Sequence, residues 1–123
     1  MPDRSRVADF VAAVVANDHV RAIRDFYTED ATMRENLGEP RRGRDHLMAH
    51  EQKALDRVRQ VVTHQPKAVL IDGDRVVIHW VFDFVGRDGV TRRIEELAIQ
   101  TWRGDRIAEE QFFYDTATAF RPV

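Results

Sequence analysis

One boundary constrains this chain more than any other feature: near residue 60 the spacing of its apolar residues changes from helical to alternating. A helix that packs on one side needs apolar residues three and four apart, and a half-buried strand needs them two apart. Before the boundary, Val7, Phe10, Val11 and Val14 recur at helical spacing over residues 5–16, with Asp9 opposite. Asn17-Asp18 breaks that pattern and places Asp18 to cap a second helix. This helix carries Val20, Ile23 and Phe26 on one side, and Arg21, Arg24 and Asp25 on the other. Thr28-Glu29-Asp30 reads as a turn, and residues 31–37 as a short strand ended by Gly38 and Pro40. A third helix over residues 43–59 has the stripe Leu47, Ala54, Leu55 and Val58, with the polar residues His50 and Glu51 on or beside it.

After the boundary, residues 61–71, 75–86, 91–103 and 106–115 are rich in Val, Ile, Phe, Trp and Thr. They are separated by Asp72-Gly73, Asp88-Gly89 and Gly104-Asp105, dipeptides that tolerate positive φ and close tight hairpins. The reading is an antiparallel meander, with Pro66 marking an edge or a bulge in its first strand. Helices followed by a meander predict one α+β domain over residues 1–123. Nineteen basic against 21 acidic residues leave a net charge of −2, which excludes a strongly basic nucleic-acid binder. The absence of cysteine excludes disulfide scaffolds and thiolate chemistry. The N-terminal apolar stretch is broken by charge and has no signal-peptide pattern, so a cytoplasmic protein without membrane contact is expected.

The segments Asp25-Phe26-Tyr27-Thr28-Glu29-Asp30-Ala31, Gly43-Arg44-Asp45 and Asp105-Arg106-Ile107-Ala108-Glu109-Glu110, continuing to Asp115, resemble the nuclear transport factor 2-like superfamily in its SnoaL-like branch. The resemblance implies a cone: a curved antiparallel sheet whose open side is closed by the three helices around a small-molecule pocket. It also implies a homodimer. It implies no single activity, because the superfamily holds ketosteroid isomerases, polyketide cyclases, limonene epoxide hydrolases and members that only bind or assemble. Aligned on Gly43-Arg44, the epoxide hydrolases' Asn falls on Asn36 and their Tyr on Arg34. Their Arg-x-Asp falls on Val81-Phe82-Asp83, and their last-strand Asp on Phe112. The cyclases' His and Asp fall near Ala98 and Phe112, so neither set is retained.

A two-residue turn at Asp88-Gly89 pairs Val81 with Glu96 and His79 with Ala98. One face then carries His79, Asp83 and Glu96, and the other Trp80, Phe82 and Phe84. Composition alone buries the aromatic face against the helices. The family alignment argues the reverse, with Asp83 in the pocket and the aromatic face as a dimer interface. A bulge in the last hairpin brings Glu96 and Tyr114 to one face, with Glu110 and Phe112 in the same parity.

Glu96 is the leading proton-transfer candidate, because a carboxyl in an apolar pocket keeps its proton to higher pH. Asp83 and His79 are expected to support it. Asn36 and Tyr114 are candidates to hold a substrate oxygen, and His50, Glu51 and Phe112 to line the pocket. His46 and His50 are four apart, but no third ligand is evident, and no Gly-rich phosphate loop is present. The expectation is a small, mostly apolar ligand handled without metal or cofactor, by an isomerase, cyclase or hydrolase. The alternatives are a non-catalytic binding module and a dimeric assembly domain.

Overall fold

The structure, a computed structural model, describes residues 1–123. Its helices are α1 (Arg4–Val15), α2 (His19–Phe26) and α3 (Arg44–Asp56). Its strands are β1 (Tyr27–Glu35), β2 (Arg41–Arg42), β3 (Val58–Thr63), β4 (Ala68–Asp72), β5 (Arg75–Gly86), β6 (Thr91–Arg103), β7 (Arg106–Phe113) and β8 (Arg121–Pro122). They form one strongly curled sheet in the order β2-β1-β7-β6-β5-β3, with β4 also on β5 and β8 on β6. The α+β cone is therefore present, with one correction. The sheet is mixed, because β1 runs parallel to β7. The meander itself is antiparallel, but the strand from the N-terminal half enters beside its last member. No helix is long and apolar enough to cross a membrane.

Local chemistry explains most element boundaries. Asn17 ends α1 in the left-handed region, at φ 63°, which Asn tolerates better than other side chains. Its carboxamide oxygen accepts from the backbone N–H of Thr63 at 3.1 Å and from the Thr63 hydroxyl at 2.8 Å. The α1–α2 turn is thus tied to β3. Asp18 precedes α2 as expected, but its side chain makes no capping bond and instead accepts from Arg21 Nε at 2.6 Å. Thr28-Glu29-Asp30 is part of β1 rather than a turn, although the β1–β7 ladder slips between Tyr27 and Thr32. The segment read as one strand over 61–71 is two, β3 and β4, both paired with β5. Pro66, which has no N–H to give to a ladder, lies in the break between them at the sheet edge.

Val7, Phe10, Ala13 and Val14 of α1, with Ala22, Ile23 and Phe26 of α2, fill one end of the cone against Trp102, Ile107 and Tyr27. Phe10 meets Phe26, Tyr27 and Trp102 edge-on, at centroid distances of 5.5, 6.1 and 6.2 Å. Each such large side chain contributes about 1.5–3 kcal/mol by leaving water.

The turn at Asn17 gives the first prediction. Asn17→Ala removes both the tolerance of positive φ and the acceptor for the Thr63 N–H. It is expected to cost about 2–3 kcal/mol in urea unfolding. Asn17→Gly, which keeps the backbone relaxed, is expected to cost less than Asn17→Ala.

Candidate functional site

The concave face of the sheet and the helices enclose a cavity of about 420 Å³, within the range of small-molecule sites. The register of the β5–β6 hairpin decides what lines it. Three residues, Arg87, Asp88 and Gly89, close this hairpin inside the Gly86 N–H to Val90 carbonyl bond of 2.8 Å. Gly89 has φ 80°, the left-handed position that such a loop requires. The odd loop pairs Trp80 with Glu96 and Phe82 with Ile94. Trp80, Phe82, Phe84, Ile94 and Glu96 thereby share the inner face and line the cavity. Trp80–Phe82 and Phe82–Phe84 centroids lie 5.4 and 6.5 Å apart, a row of rings along one wall.

The β6–β7 hairpin does contain a bulge. Its register slips between Thr101 and Trp102, which turns Glu110 and Phe112 inward. Glu110 is 3% exposed. One of its carboxyl oxygens accepts from the Tyr27 hydroxyl, and the other from Gln100 Nε2 at 2.7 Å. Gln100 Oε1 in turn accepts from Trp102 Nε1 at 2.9 Å. Burial pushes the Glu110 pKa up to about 7, against the two hydrogen bonds that favour its charged form.

Glu96 differs in having no hydrogen bond to the protein. Burial in the apolar cavity, reinforced by the Glu110, Glu35 and Glu51 carboxylates, raises its pKa to about 8. Glu51, on the inward side of α3 one turn beyond the buried Leu47, is also raised by burial. At the rim, Glu35 accepts from Arg41 Nη1 at 3.4 Å, while the buried Arg41 Nε has no partner. His50 lines the cavity too, with its pKa lowered first by burial and then by the Arg41 charge.

Of the eight residues expected from sequence, Glu96, His50, Glu51 and Phe112 line the cavity. Tyr114 lies just past β7 and is not among the residues lining the cavity, although its raised pKa, due first to burial, also reflects the Glu35 and Glu96 carboxylates. Asp83 and His79 do not join the site. Both are on the outer face, because they alternate along β5 with Trp80, Phe82 and Phe84, which face the cavity. The three-residue hairpin shifts β6 by one residue relative to the expected pairing and so puts Glu96 with the aromatic residues instead of with them. Asp83 is held by Arg93 at 2.7 and 3.0 Å and by His64 at 2.7 Å. Chiefly through the Arg93 bonds, its pKa falls to about 2. His79 pairs with Glu95 at 2.6 Å. Asn36 is also outside the cavity. It turns the end of β1 at φ 48°, and its carboxamide oxygen accepts from the Tyr114 N–H at 3.1 Å. The aromatic face expected to form a dimer interface is the cavity wall. Sequence reasoning named none of Glu110, Tyr27 and Gln100 as site residues; the shared parity of Glu110 with Phe112, and of Gln100 with Glu96, were the only signals that pointed to any of them. No group of three or more His, Asp or Glu side chains is placed to hold a metal ion.

The carboxyl environment has a measurable consequence. A carboxyl whose pKa is raised on folding favours the folded state at low pH. That contribution is lost as pH rises from 4.5, the ordinary value, through about 8. Stability is therefore expected to fall over this window and to fall less steeply in Glu96→Gln. By carbon-detected NMR the Glu96 carboxyl should titrate near pH 8. In Glu110→Gln the midpoint should drop but remain above the ordinary value, since burial outweighs the neighbouring charge. A wild-type midpoint at the ordinary value would place Glu96 in water.

Comparison with known proteins agrees with this geometry. The family model described as SnoaL-like domain matches residues 7–110. A candidate polyketide cyclase from Xanthomonas campestris pv. campestris superposes with a TM-score of 0.78 at 20% identity, covering 92% of this chain and 90% of that one. A protein of ketosteroid isomerase-like fold from Catenulispora acidiphila, solved with trimethylamine, gives 0.76 at 17% identity, covering 97% and 91%. TerC, co-crystallised with polyporic acid, gives 0.76 at 16% identity, covering 92% and 91%. At these identities the likeness is one of fold. No curated protein sequence is significantly similar to this chain.

Proposed function

The chain belongs to the SnoaL-like domain family, and from that premise we propose that it binds a small, mostly apolar carbonyl compound in its cone. There it moves a proton by acid–base chemistry, in the manner of an isomerase or cyclase. One observation carries the reading. Glu96 lines a largely apolar cavity, and its side chain makes no hydrogen bond to the protein. Its carboxylate is a stronger base than an exposed one, and its protonated form is available near neutrality. In the proposed step Glu96 takes a proton from the carbon next to the carbonyl. The C–H electron pair moves into the ring or chain as an enolate, and Glu96 returns the proton to the same or a conjugated carbon. The Tyr114 hydroxyl, just outside the cavity lining and without a hydrogen bond to the protein, is the candidate donor to the enolate oxygen. Glu110, fixed by Tyr27 and Gln100, keeps a second titrating carboxyl in the same cavity and helps to hold the proton on Glu96.

The test is deuterium exchange. Aryl and alicyclic ketones, beginning with 2-tetralone, are incubated with the protein in D2O, and loss of the α-proton signal is followed. Exchange is expected to quicken as pH rises towards about 8. Glu96→Gln should slow it by roughly 100-fold or more while retaining ketone binding. Exchange at the wild-type rate in Glu96→Gln removes Glu96 from the reaction. Binding without exchange across the panel leaves a ligand-binding module.

We further propose that a second copy packs on the outer face of the sheet, as the homodimer expectation requires once the aromatic face is assigned to the cavity. Leu97 and Leu70 are 40% and 63% exposed there, beside the Glu95–His79 and Asp83–Arg93 pairs. Leu97→Asp is expected to convert a dimer to a monomer in sedimentation equilibrium. A wild-type monomer at micromolar concentration would end this proposal.

A further inference from the structure

After β7 the chain does not simply leave the sheet. Tyr114 is tied to Asn36, and Asp115 then organises a compact turn. Its carboxylate accepts from the Ala117 N–H at 2.9 Å, and its carbonyl from the Thr118 and Ala119 N–H groups at 3.2 and 3.0 Å. The chain returns to β6 at Phe120, whose N–H donates to the Arg93 carbonyl at 2.9 Å, and Val123 donates to the Thr91 carbonyl at 2.9 Å. Strand β8 thus occupies the edge of β6 beyond the point where β7 stops. The excursion is a strap across the mouth of the cone, outside the residues 7–110 matched by the family model.

Phe120 stands out within that strap. It has φ 61°, a left-handed conformation that a bulky side chain rarely adopts. Its ring lies 5.6 Å from that of Phe84 and lines the cavity, extending the inner row of rings to the rim, yet the residue remains 48% exposed. A large apolar side chain held half in water, on an unfavourable backbone, by a strap with few interstrand hydrogen bonds is placed at an entrance rather than in a core. We propose that Phe120 is the gate of the cavity: its ring must swing off Phe84 before a ligand enters, and it limits the size of ligand that the closed cone holds. This inference rests on the cavity being a ligand site. It does not depend on Glu96 transferring a proton.

The test uses the full chain and the fluorescent probe 8-anilinonaphthalene-1-sulfonate. A chemical-shift change at the indole N–H of Trp80, which lines the cavity, reports that the probe is inside the cone. Phe120→Gly removes the ring while relieving the backbone, so the strap and fold are retained, as the backbone-amide NMR shifts of β6 verify. Phe120→Asn, which also tolerates positive φ, is the second variant. In stopped-flow mixing, the wild-type association rate constant is expected to be lowered by the small fraction of time for which the ring is off Phe84. Both variants should raise it by about tenfold or more. Unchanged association in both variants, with the probe still in the cone, overturns the gate and leaves the ligand site intact. Failure of the probe to enter wild type and both variants overturns the gate and the ligand site together.

Discussion

The hydrogen-bonded chain Trp102–Gln100–Glu110–Tyr27 is the constraint on which the rest of the cone depends. It joins β6, β7 and β1 through side chains that are each 3% exposed or less. A buried carboxyl without partners is costly, and one left half-satisfied is worse than an apolar residue. Glu110 therefore accepts only a register in which Gln100 lies opposite it and Tyr27 reaches its second oxygen. That register needs the bulge in the β6–β7 hairpin. The same bulge faces Phe112 inward and brings Tyr114 towards Glu96. One satisfied acid thus sets the positions of residues that it never touches.

The cavity divides its carboxyls by environment. Asp83, on the outer face, gains Arg93 and His64 and is held strongly acidic, while Glu96, Glu110 and Glu51 are pushed towards neutrality mainly by burial. Side chains of nearly the same chemistry thus serve opposite ends on the two faces of one sheet. Outside, charge is locked into pairs; inside, Glu96 is left without a protein partner. This asymmetry, more than any motif, distinguishes the concave face as the place for chemistry.

Much of the fold was legible. The change of period near residue 60, the Asn17-Asp18 break and the three hairpin dipeptides placed every helix and the meander, because each rests on local backbone chemistry. The parallel entry of β1 beside β7 was not, since no local signal names a partner so distant in sequence. The site was half legible. Glu96, His50, Glu51 and Phe112 were found, but the family alignment put Asp83 and His79 in the pocket, and a single residue of loop length grouped Glu96 with them. Arg87-Asp88-Gly89 and Asp88-Gly89 look alike in sequence, and their difference moves every side chain of β5 to the other face relative to β6. Composition had favoured burying Trp80, Phe82 and Phe84, and the cavity wall is where they lie. The role of Glu110 was hidden because sequence does not distinguish a buried acid from a solvated one.

The pairing of β1 with β7 also governs when the cone comes into being. Tyr27 and Glu110 are 83 residues apart, and closing so long a loop costs entropy before any contact rewards it. During synthesis α1, α2 and β1 emerge long before the strand that completes them. Until β7 leaves the ribosome, the row Trp80–Phe82–Phe84 is exposed on an unfinished sheet whose open edge invites other chains. The wall that later encloses the cavity is, in the nascent protein, an apolar surface without its covering strands.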